Sequence, residues 1–551
     1  MATIDINFYN LKKELKIEDL TINEFEDILF NFGLEVDSYD QETDVVKVEI
    51  TAERVDLLSF PGLVRALKSY IGLEKYSFPE IKDGGYSVNV TQNVLDYGNY
   101  TICAIVKNLD LDDSKIKEII DVQEKLHLTY GRKRKSVAIG VYPLEKIKFP
   151  ITFDAKDPSL IKFIPLDESR EMNGSEILEQ HPTGKLYSNL VEGKKKYLVF
   201  VDYNNNVLSM PPIINSQETG RVTEQTKDLF IECTGTNLSK LKYTISIITE
   251  MFRDFGGDVY SITINYPNKT IVSPTVDHLK INVSLDYLNK LIGVDVDINK
   301  AKELLERMMY SCKIVNDGQL EVTIPNFRTD VIHVNDIADD FGRAYGFNNI
   351  TPKNSRVVSV AERDPESIKQ ENIINTFVGM GFQEVMPFVL SSEKESFDNF
   401  LINKDLEKYI KLDFSAESSL NIVGNWMLPK LLKVFYNNQH KSFPQKIFAC
   451  DYVVKKDNSK DVLSQTVLHT ACMIANSKIS FTEISSVLLG LCNTLGKKLE
   501  LKKQDYSYYI SGRSATVVID NKVVGTIGEI NPDVLLNNNY TNPVCGFEIE
   551  I

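Results

Sequence analysis

Four aspartates crowd one stretch of the chain, PNFRTDVIHVNDIADDFGRAYGFNNI (325–350). Asp336, Asp339 and Asp340 stand at i, i+3 and i+4, one face of a helix, and Asp330 lies just upstream in the turn that leads in. Like charges at that spacing repel by about 0.2–0.5 kcal/mol a pair, so something should offset them. A helix dipole is one offset, because acids in a first turn are stabilised by it, and Arg343 can reach back to Asp339 or Asp340. A hard divalent cation is the other: Mg²⁺ takes oxygen ligands, often only one or two from protein, and keeps several waters. A second constellation surrounds Glu232, a carboxylate inside the apolar run DLFIECTGTN (228–237), with Thr234 two residues on. Ser209 and Asn215 stand near the ends of the strand pattern that precedes it. A carboxylate on an apolar strand needs a partner or a ligand. Either a neighbouring basic or hydroxyl group or a bound molecule would satisfy it.

The elements that position these groups are legible as periodicities. Leu320, Val322 and Ile324 alternate as a strand, Asn335 is placed to cap the acidic helix, and Ile337, Phe341 and Tyr345 form its apolar face. Before Glu232, 197–215 reads as strand, Asn-rich turn, strand and Pro-Pro exit; after it, 241–255 reads as a helix ended by Gly256-Gly257. Residues 100–106 form a buried strand, 114–128 a helix with Ile116, Ile119, Ile120 and Leu126 inward, and 181–187 (HPTGKLY) a turn. Nearer the N-terminus, residues 22–32 form a helix ended by Gly33, 45–50 a strand, and 61–70 a Pro-first helix. Short helices are expected at 284–291 and 300–309. Beyond residue 360 come helices at 365–377, 426–440 and 481–496, strands at 384–390 and 445–454, a hairpin with Asn521-Lys522 in its turn, and a final strand in VCGFEIEI. The whole is α+β and multidomain: an N-terminal α+β unit at 1–88, a large α+β unit at 90–268, a small helical module at 275–352 and a last domain at 360–551.

Composition limits the function. At 551 residues the chain is too long for one core, and 43% hydrophobic with 25% charged residues is ordinary for a soluble globular protein. No run of about 18 apolar residues suggests a membrane span, and the first residues lack a signal peptide's apolar core. Seven scattered cysteines with no C-x-x-C fit reduced cytosolic thiols and argue against a zinc site or disulfide framework. A net charge of −15 argues against gripping nucleic acid over a broad surface. Any RNA contact must be local or shared with another subunit. Arg132-Lys133-Arg134-Lys135 and Lys194-Lys195-Lys196 could serve, or could be solvated loops.

The acidic stretch resembles a segment of the phenylalanyl-tRNA synthetase β subunit: Arg-Thr-Asp, Ile-His, Asp-Ile-x-x-Asp, then Ala-Tyr-Gly-Phe-Asn-Asn-Ile. The resemblance continues in RVDLLSFPGLVR (54–65), in LSMPPIINSQETGRVTEQTKDLFIECTGT (208–236), and in Gly512-Arg513-x-Ala515, Gly525-x-Ile527-Gly528-Glu529-Ile530-x-Pro532 and Phe547-Glu548. It runs through all four units in the family's order and is closest to the shorter archaeal and eukaryal type. Glu53 and Val55 depart from the usual Asn and Pro, and Asp339 stands where the family usually has Glu. Gly424 and Ala449 replace a usual Arg and Glu, so the last domain is that of a divergent member. The resemblance implies an α₂β₂ heterotetramer in the cytoplasm, acting on tRNA(Phe), with no membrane. ATP, phenylalanine and aminoacyl transfer would belong to the α subunit. Asp330, Asp336, Asp339 and Asp340 would supply a Mg²⁺ site shared with α. The 90–268 unit would be an editing module that hydrolyses tRNA mischarged with tyrosine: Glu232 would read the tyrosine hydroxyl, and Ser209, Asn215 and Thr234 would line the pocket and position water. The last domain would be a class II synthetase-like antiparallel sheet without a catalytic site, since no P-loop, His-Ile-Gly-His or ATP-clamping arginine pair is present. A non-editing structural and tRNA-binding scaffold, and a free-standing metal hydrolase built on the four aspartates, are the alternatives.

Overall fold

A computed structural model describes residues 2–354, 359–406 and 408–551, and the chain divides into two compact units, 1–354 and 355–551. The first begins with a three-stranded antiparallel sheet in which Val45–Ile50 lies between Ala2–Asn7 and Glu35–Asp40. Helix Ile22–Phe32 has the expected bounds: Thr21 and Glu24 close a capping box at its start, and the chain turns out at Gly33. Strand Lys82–Val90 pairs with Asp258–Tyr266 and Ile151–Lys156, so the boundary expected at residue 88 falls inside a strand of the next sheet.

That sheet has ten strands. Along it, Tyr100–Lys107, Leu229–Gly235 and Val137–Pro143 are neighbours, with Leu229–Gly235 between the other two and antiparallel to both. All seven residues of Leu229–Gly235 are buried, as a strand covered on both faces requires. Helix Leu238–Asp254 covers one face, burying Leu241, Ile245, Ile248 and Phe252, which recur at helical spacing. Helix Asp113–Leu128 buries a narrower stripe, Ile119, Val122 and Leu126. Ile120, expected inward, is largely exposed, one position off that stripe. Residues 181–187, expected as a turn, contain a short helix, Pro182–Tyr187, with His181 at its N-cap. The apparent breakers have structural reasons. Pro182 occupies the first helical position, and a Cβ on Gly184 would come within 1.9 Å of the Ile177 carbonyl oxygen of the preceding helix.

Residues 279–345 are a mixed module: where one strand was expected in a small helical module, three strands form a sheet. Strand Gln319–Ile324 pairs with Leu279–Ser284 and Ser311–Asn316; helices Leu285–Ile292 and Ile298–Arg307 pack on this sheet, and Val334–Tyr345 packs on those two helices. The cap of the acidic helix is His333, not Asn335. His333 Nδ1 accepts from the Asn335 amide at 3.2 Å, and Asp336 closes the box from inside the helix, which sets the start two residues earlier. Ile337 and Phe341 are buried as expected. One continuous apolar core includes Leu29, Leu67, Ile231, Leu304 and Phe341, so the first unit's modules fold on a shared interior.

The second unit is built on a seven-stranded sheet, antiparallel apart from the two-residue edge strand Gln383–Glu384. Its two longest strands, Gln445–Lys456 and Ser464–Ala475, alternate side chains between two cores. Phe448, Cys472 and Ile474 face helices Pro365–Gly379 and Phe481–Thr494; Ile447, Ala471 and Met473 face Leu428–Asn437. The strand expected at 384–390 is only its ends, Gln383–Glu384 and Leu390–Ser391, with Met386 and Phe388 exposed between them. The hairpin turn is one residue earlier than expected, at Asp520 and Asn521, whose φ of +50° and +68° suit a tight two-residue connection. Among the described residues no helix is long and apolar enough to cross a membrane.

Candidate functional site

The acidic stretch is organised by Arg328, which is buried. Its Nε donates to Asp330 Oδ1 at 2.9 Å, and its Nη2 donates to Asp330 Oδ2 at 2.7 Å and Asp340 Oδ2 at 2.6 Å. The Tyr310 hydroxyl donates to the same Asp340 oxygen at 2.6 Å. Burial raises the Asp330 carboxyl, but the Arg328 charge and hydrogen bonds outweigh it and hold the group below its usual range. Asp336 Oδ2 accepts from the amides of Ile332 at 2.8 Å and His333 at 2.7 Å. Half-exposed Asp339 pairs with Arg343 at 2.9 Å, the reach the sequence suggested.

The four carboxylates therefore engage two arginines, the Tyr310 hydroxyl and two backbone amides, and do not open on a common point. Among the described residues no group of three or more His, Cys, Asp or Glu could hold a metal ion. This chain's own arrangement does not fit Mg²⁺, because Asp330 and Asp340 would first have to release a buried guanidinium. The missed signal was Arg328-Thr329-Asp330 itself. The same Arg-x-Asp spacing recurs at Arg54-Val55-Asp56, where Arg54 clamps Asp56 through two bonds of 3.0 and 2.9 Å. The two segments meet, since Thr329 Oγ1 donates to the Glu53 carbonyl at 3.3 Å.

Glu232 lies mid-strand, opposite Cys103 on one neighbour and Gly140 on the other. A Cβ on Gly140 would fall 2.3 Å from the Tyr142 hydroxyl and 2.5 Å from Glu232 Oε1, so glycine makes room for those two groups to meet. The fully buried Tyr142 hydroxyl lies 3.1 Å from Glu232 Oε1 and 3.3 Å from Asn215 Oδ1; its single proton serves one acceptor at a time. Among the described residues, Glu232 Oε2 is buried with no partner, and Ser209 Oγ, near the same phenol, also lacks one of good geometry. Burial pushes the Glu232 carboxyl up to about 8, against the lowering effect of the Tyr142 hydrogen bond, so it is mostly neutral at pH 7.

A cavity of about 500 Å³ opens beside this cluster. Ile119, Ile139, Val141 and Ile213 give it apolar walls, and Asn215 and Glu232 are among its polar groups. Ser209 stands one strand pair from the cavity, in register with Asn215. Thr234 does not line it and instead borders an adjoining cleft. Two histidines at the wall, which the sequence did not single out, are tied to the fold. His127 Nε2 accepts from the Ile139 amide at 2.9 Å, with Nδ1 3.3 Å from Glu124; His181 Nδ1 accepts from the Thr183 amide at 3.1 Å, with Nε2 3.2 Å from the Leu166 carbonyl. Burial depresses His127, and among the described residues at this cavity Glu232 Oε2 is a buried carboxylate oxygen without a partner.

Comparison with known proteins gives this arrangement its context. Four domain models match in succession: the Phe-tRNA synthetase β subunit B1 domain (1–73), the B3/4 domain (109–253), the tRNA synthetase B5 domain (281–347) and the phenylalanyl-tRNA synthetase β chain CLM domain (351–551). These are the modules of an aminoacyl-tRNA synthetase subunit. The phenylalanine–tRNA ligase β subunit of Thermococcus sibiricus is 35% identical over 100% of this chain and 98% of its own length, and that of Archaeoglobus fulgidus 36% identical over 93% and 92%. A solved N-terminal fragment of the phenylalanyl-tRNA synthetase β subunit from Pyrococcus horikoshii superposes with a TM-score of 0.59 at 36% identity, covering 62% of this chain and 99% of the fragment. The chain belongs to the phenylalanine–tRNA ligase β-subunit family and is part of an aminoacyl-tRNA synthetase.

Proposed function

We propose that the Glu232 cavity hydrolyses tRNA(Phe) mischarged with tyrosine, while an α partner attaches phenylalanine. The observation that carries the reading is Glu232 Oε2, buried and unpartnered at an apolar cavity. A synthetic pocket shaped for phenylalanine cannot strongly reject an analogue that merely adds a hydroxyl; rejection of that kind reaches only about 10²-fold. A second pocket selects tyrosine if its polar group stays unsatisfied by phenylalanine. A neutral Glu232 donates to, or accepts from, the tyrosine hydroxyl, and Asn215 borders the same space. In the reaction, water oxygen bonds to the ester carbonyl carbon, the acyl–ribose bond breaks, and the water's proton passes to the ribose oxygen. Asn215 at the cavity and Thr234 at the adjoining cleft position that water.

The second unit supports a division of labour. Its two described arginines are committed to Glu371 and Glu529, so neither is free to clamp ATP phosphates. Under this reading the chain works in the cytoplasm as the β half of an α₂β₂ assembly that uses ATP and Mg²⁺. The full-length chain is expected to hydrolyse tyrosyl-tRNA(Phe), with Glu232→Ala lowering kcat/KM at least 10-fold. Unchanged hydrolysis in that variant would overturn the assignment of Glu232, and a wild-type chain without hydrolysis would leave the scaffold alternative. Full phenylalanine charging by α alone would defeat the proposed partnership.

A further inference from the structure

The two basic runs of the sequence, at 132–135 and 194–196, converge on one cleft. Its volume is about 280 Å³, and it is bordered by Arg134, Lys135, Lys194, Asn99, Asn189 and Thr234, among others. Among the described residues, no aspartate or glutamate borders it. That is unusual in a chain of net charge −15. In the cavity beside Arg65, Lys68 and Lys75, by contrast, each cation pairs with a carboxylate: Arg65 with Asp254, Lys68 with Glu14 and Glu74, and Lys75 with Glu306. Lys194 Nζ stands 4.6 Å from the centre of the Tyr97 ring, and among the described residues neither Lys194 nor Lys135 pairs with a carboxylate. The turn that carries Lys135 is held in an unfavourable form, with Arg132, Lys133 and Arg134 all left-handed at φ +50°, +55° and +63°.

The cleft adjoins the Glu232 cavity. Arg134 and Pro212 border both. Arg134 is fixed there as a partition: its Nη1 donates to the Ile213 carbonyl at 2.9 Å, its Nη2 pairs with Glu124 at 2.8 Å, and it stacks 4.3 Å from the Tyr187 ring centre. Its Nε is buried without a partner among the described residues. Glu232 and Thr234, two residues apart on one strand, border the cavity and the cleft respectively. For a ligand whose acyl group occupies the first space, the second is the neighbouring space past Arg134 and Pro212. In an aminoacylated RNA, the first charged group beyond the ester is a phosphodiester.

We propose that the cleft holds the phosphodiester of the RNA's 3′-terminal nucleotides, with Lys135 and Lys194 as phosphate contacts and Asn99 and Asn189 facing sugar or base edges. This rests on the editing reading of the Glu232 cavity. The test compares the full-length chain with Lys135→Ala/Lys194→Ala. With tyrosyl-tRNA, KM should rise at least 10-fold while kcat stays within twofold, and the log–log dependence of KM on salt should flatten by about 1.4 for two single-strand phosphate contacts. Hydrolysis of tyrosine ethyl ester, which has no phosphate, should not change, and Lys135→Arg/Lys194→Arg should restore the tRNA values. If the wild type hydrolyses tyrosyl-tRNA and the double alanine variant keeps its KM and salt slope, the cleft assignment is overturned and editing stands. If the wild type hydrolyses none, editing fails, and fluorescence anisotropy with a short single-stranded oligoribonucleotide decides the cleft. A 10-fold loss of affinity in the double variant supports it, and equal affinity overturns it.

Discussion

Glu232 makes a prediction that does not depend on knowing its substrate. Its folded pKa of about 8 lies far above the roughly 4.3 of an exposed glutamate. Between those values the folded chain keeps a proton that the unfolded chain has released. Its contribution to stability is therefore fully present below the unfolded pKa and is lost as pH rises toward 8, by about 1.4 kcal/mol per pH unit. Glu232→Gln has no proton to lose, so its stability should gain on wild type across pH 5 to 8, as read from denaturation midpoints of the two chains. Parallel midpoints would show that the carboxyl is already ionised in the fold. Tyr142→Phe should act oppositely. The phenol's hydrogen bond lowers the Glu232 pKa, so removing it should carry the loss of stability to still higher pH in the same titration.

At the scale of elements, the acidic turn and helix behave as a clamp around Arg328. Removing one partner of a buried ion pair leaves the other charge uncompensated and costs about 3–5 kcal/mol. Arg328→Met should therefore destabilise the first unit by that order, since Asp330 and Asp340 both lose their cation. Asp339→Ala removes only a half-exposed pair with Arg343 and should cost no more than about 0.5 kcal/mol. A metal cage would reverse the first result: without Arg328 the acids would bind Mg²⁺ and recover stability when it is added. Thermal melts of both variants with and without Mg²⁺ separate the two accounts.

This stretch also marks where the sequence stopped being readable. Its helix, its apolar face and the reach of Arg343 follow from spacing, and the strand around Glu232 follows from an apolar run. Arg328 was overlooked because an i, i+2 contact in a turn has no periodic signature. The cap was misplaced because Asn is the better capping residue in isolation, whereas His333 and Asp336 satisfy the end reciprocally. Tyr142 was invisible beside Glu232 because the register that brings them together joins strands 90 residues apart in the chain. Ser209, Asn215 and Thr234 are near Glu232 as the spacing suggested, but the division into a cavity and a cleft depends on Arg134 and Pro212, which only the fold places between them.

For the whole molecule, the question is which reaction steps its charges permit. A net −15 disfavours broad capture of RNA, so binding should be concentrated at the acid-free cleft and on whatever a partner supplies. Attachment of an amino acid from ATP needs cations free to neutralise developing phosphate charge, and the second unit does not offer its described arginines for this. Arg513 is held by Glu529 at 2.7 Å, and Glu529 also accepts from the Phe481 amide at 2.9 Å, so the pair anchors the start of the helix Phe481–Thr494. Arg363, on the surface, pairs with Glu371. Arg513→Ala should then change phenylalanine charging by the α–β complex less than twofold, and KM for ATP not at all, while modestly lowering the chain's melting temperature. A 10-fold or greater loss of kcat, with a raised KM for ATP and an unchanged melt, would instead place Arg513 at the nucleotide and make this unit a participant in the chemistry.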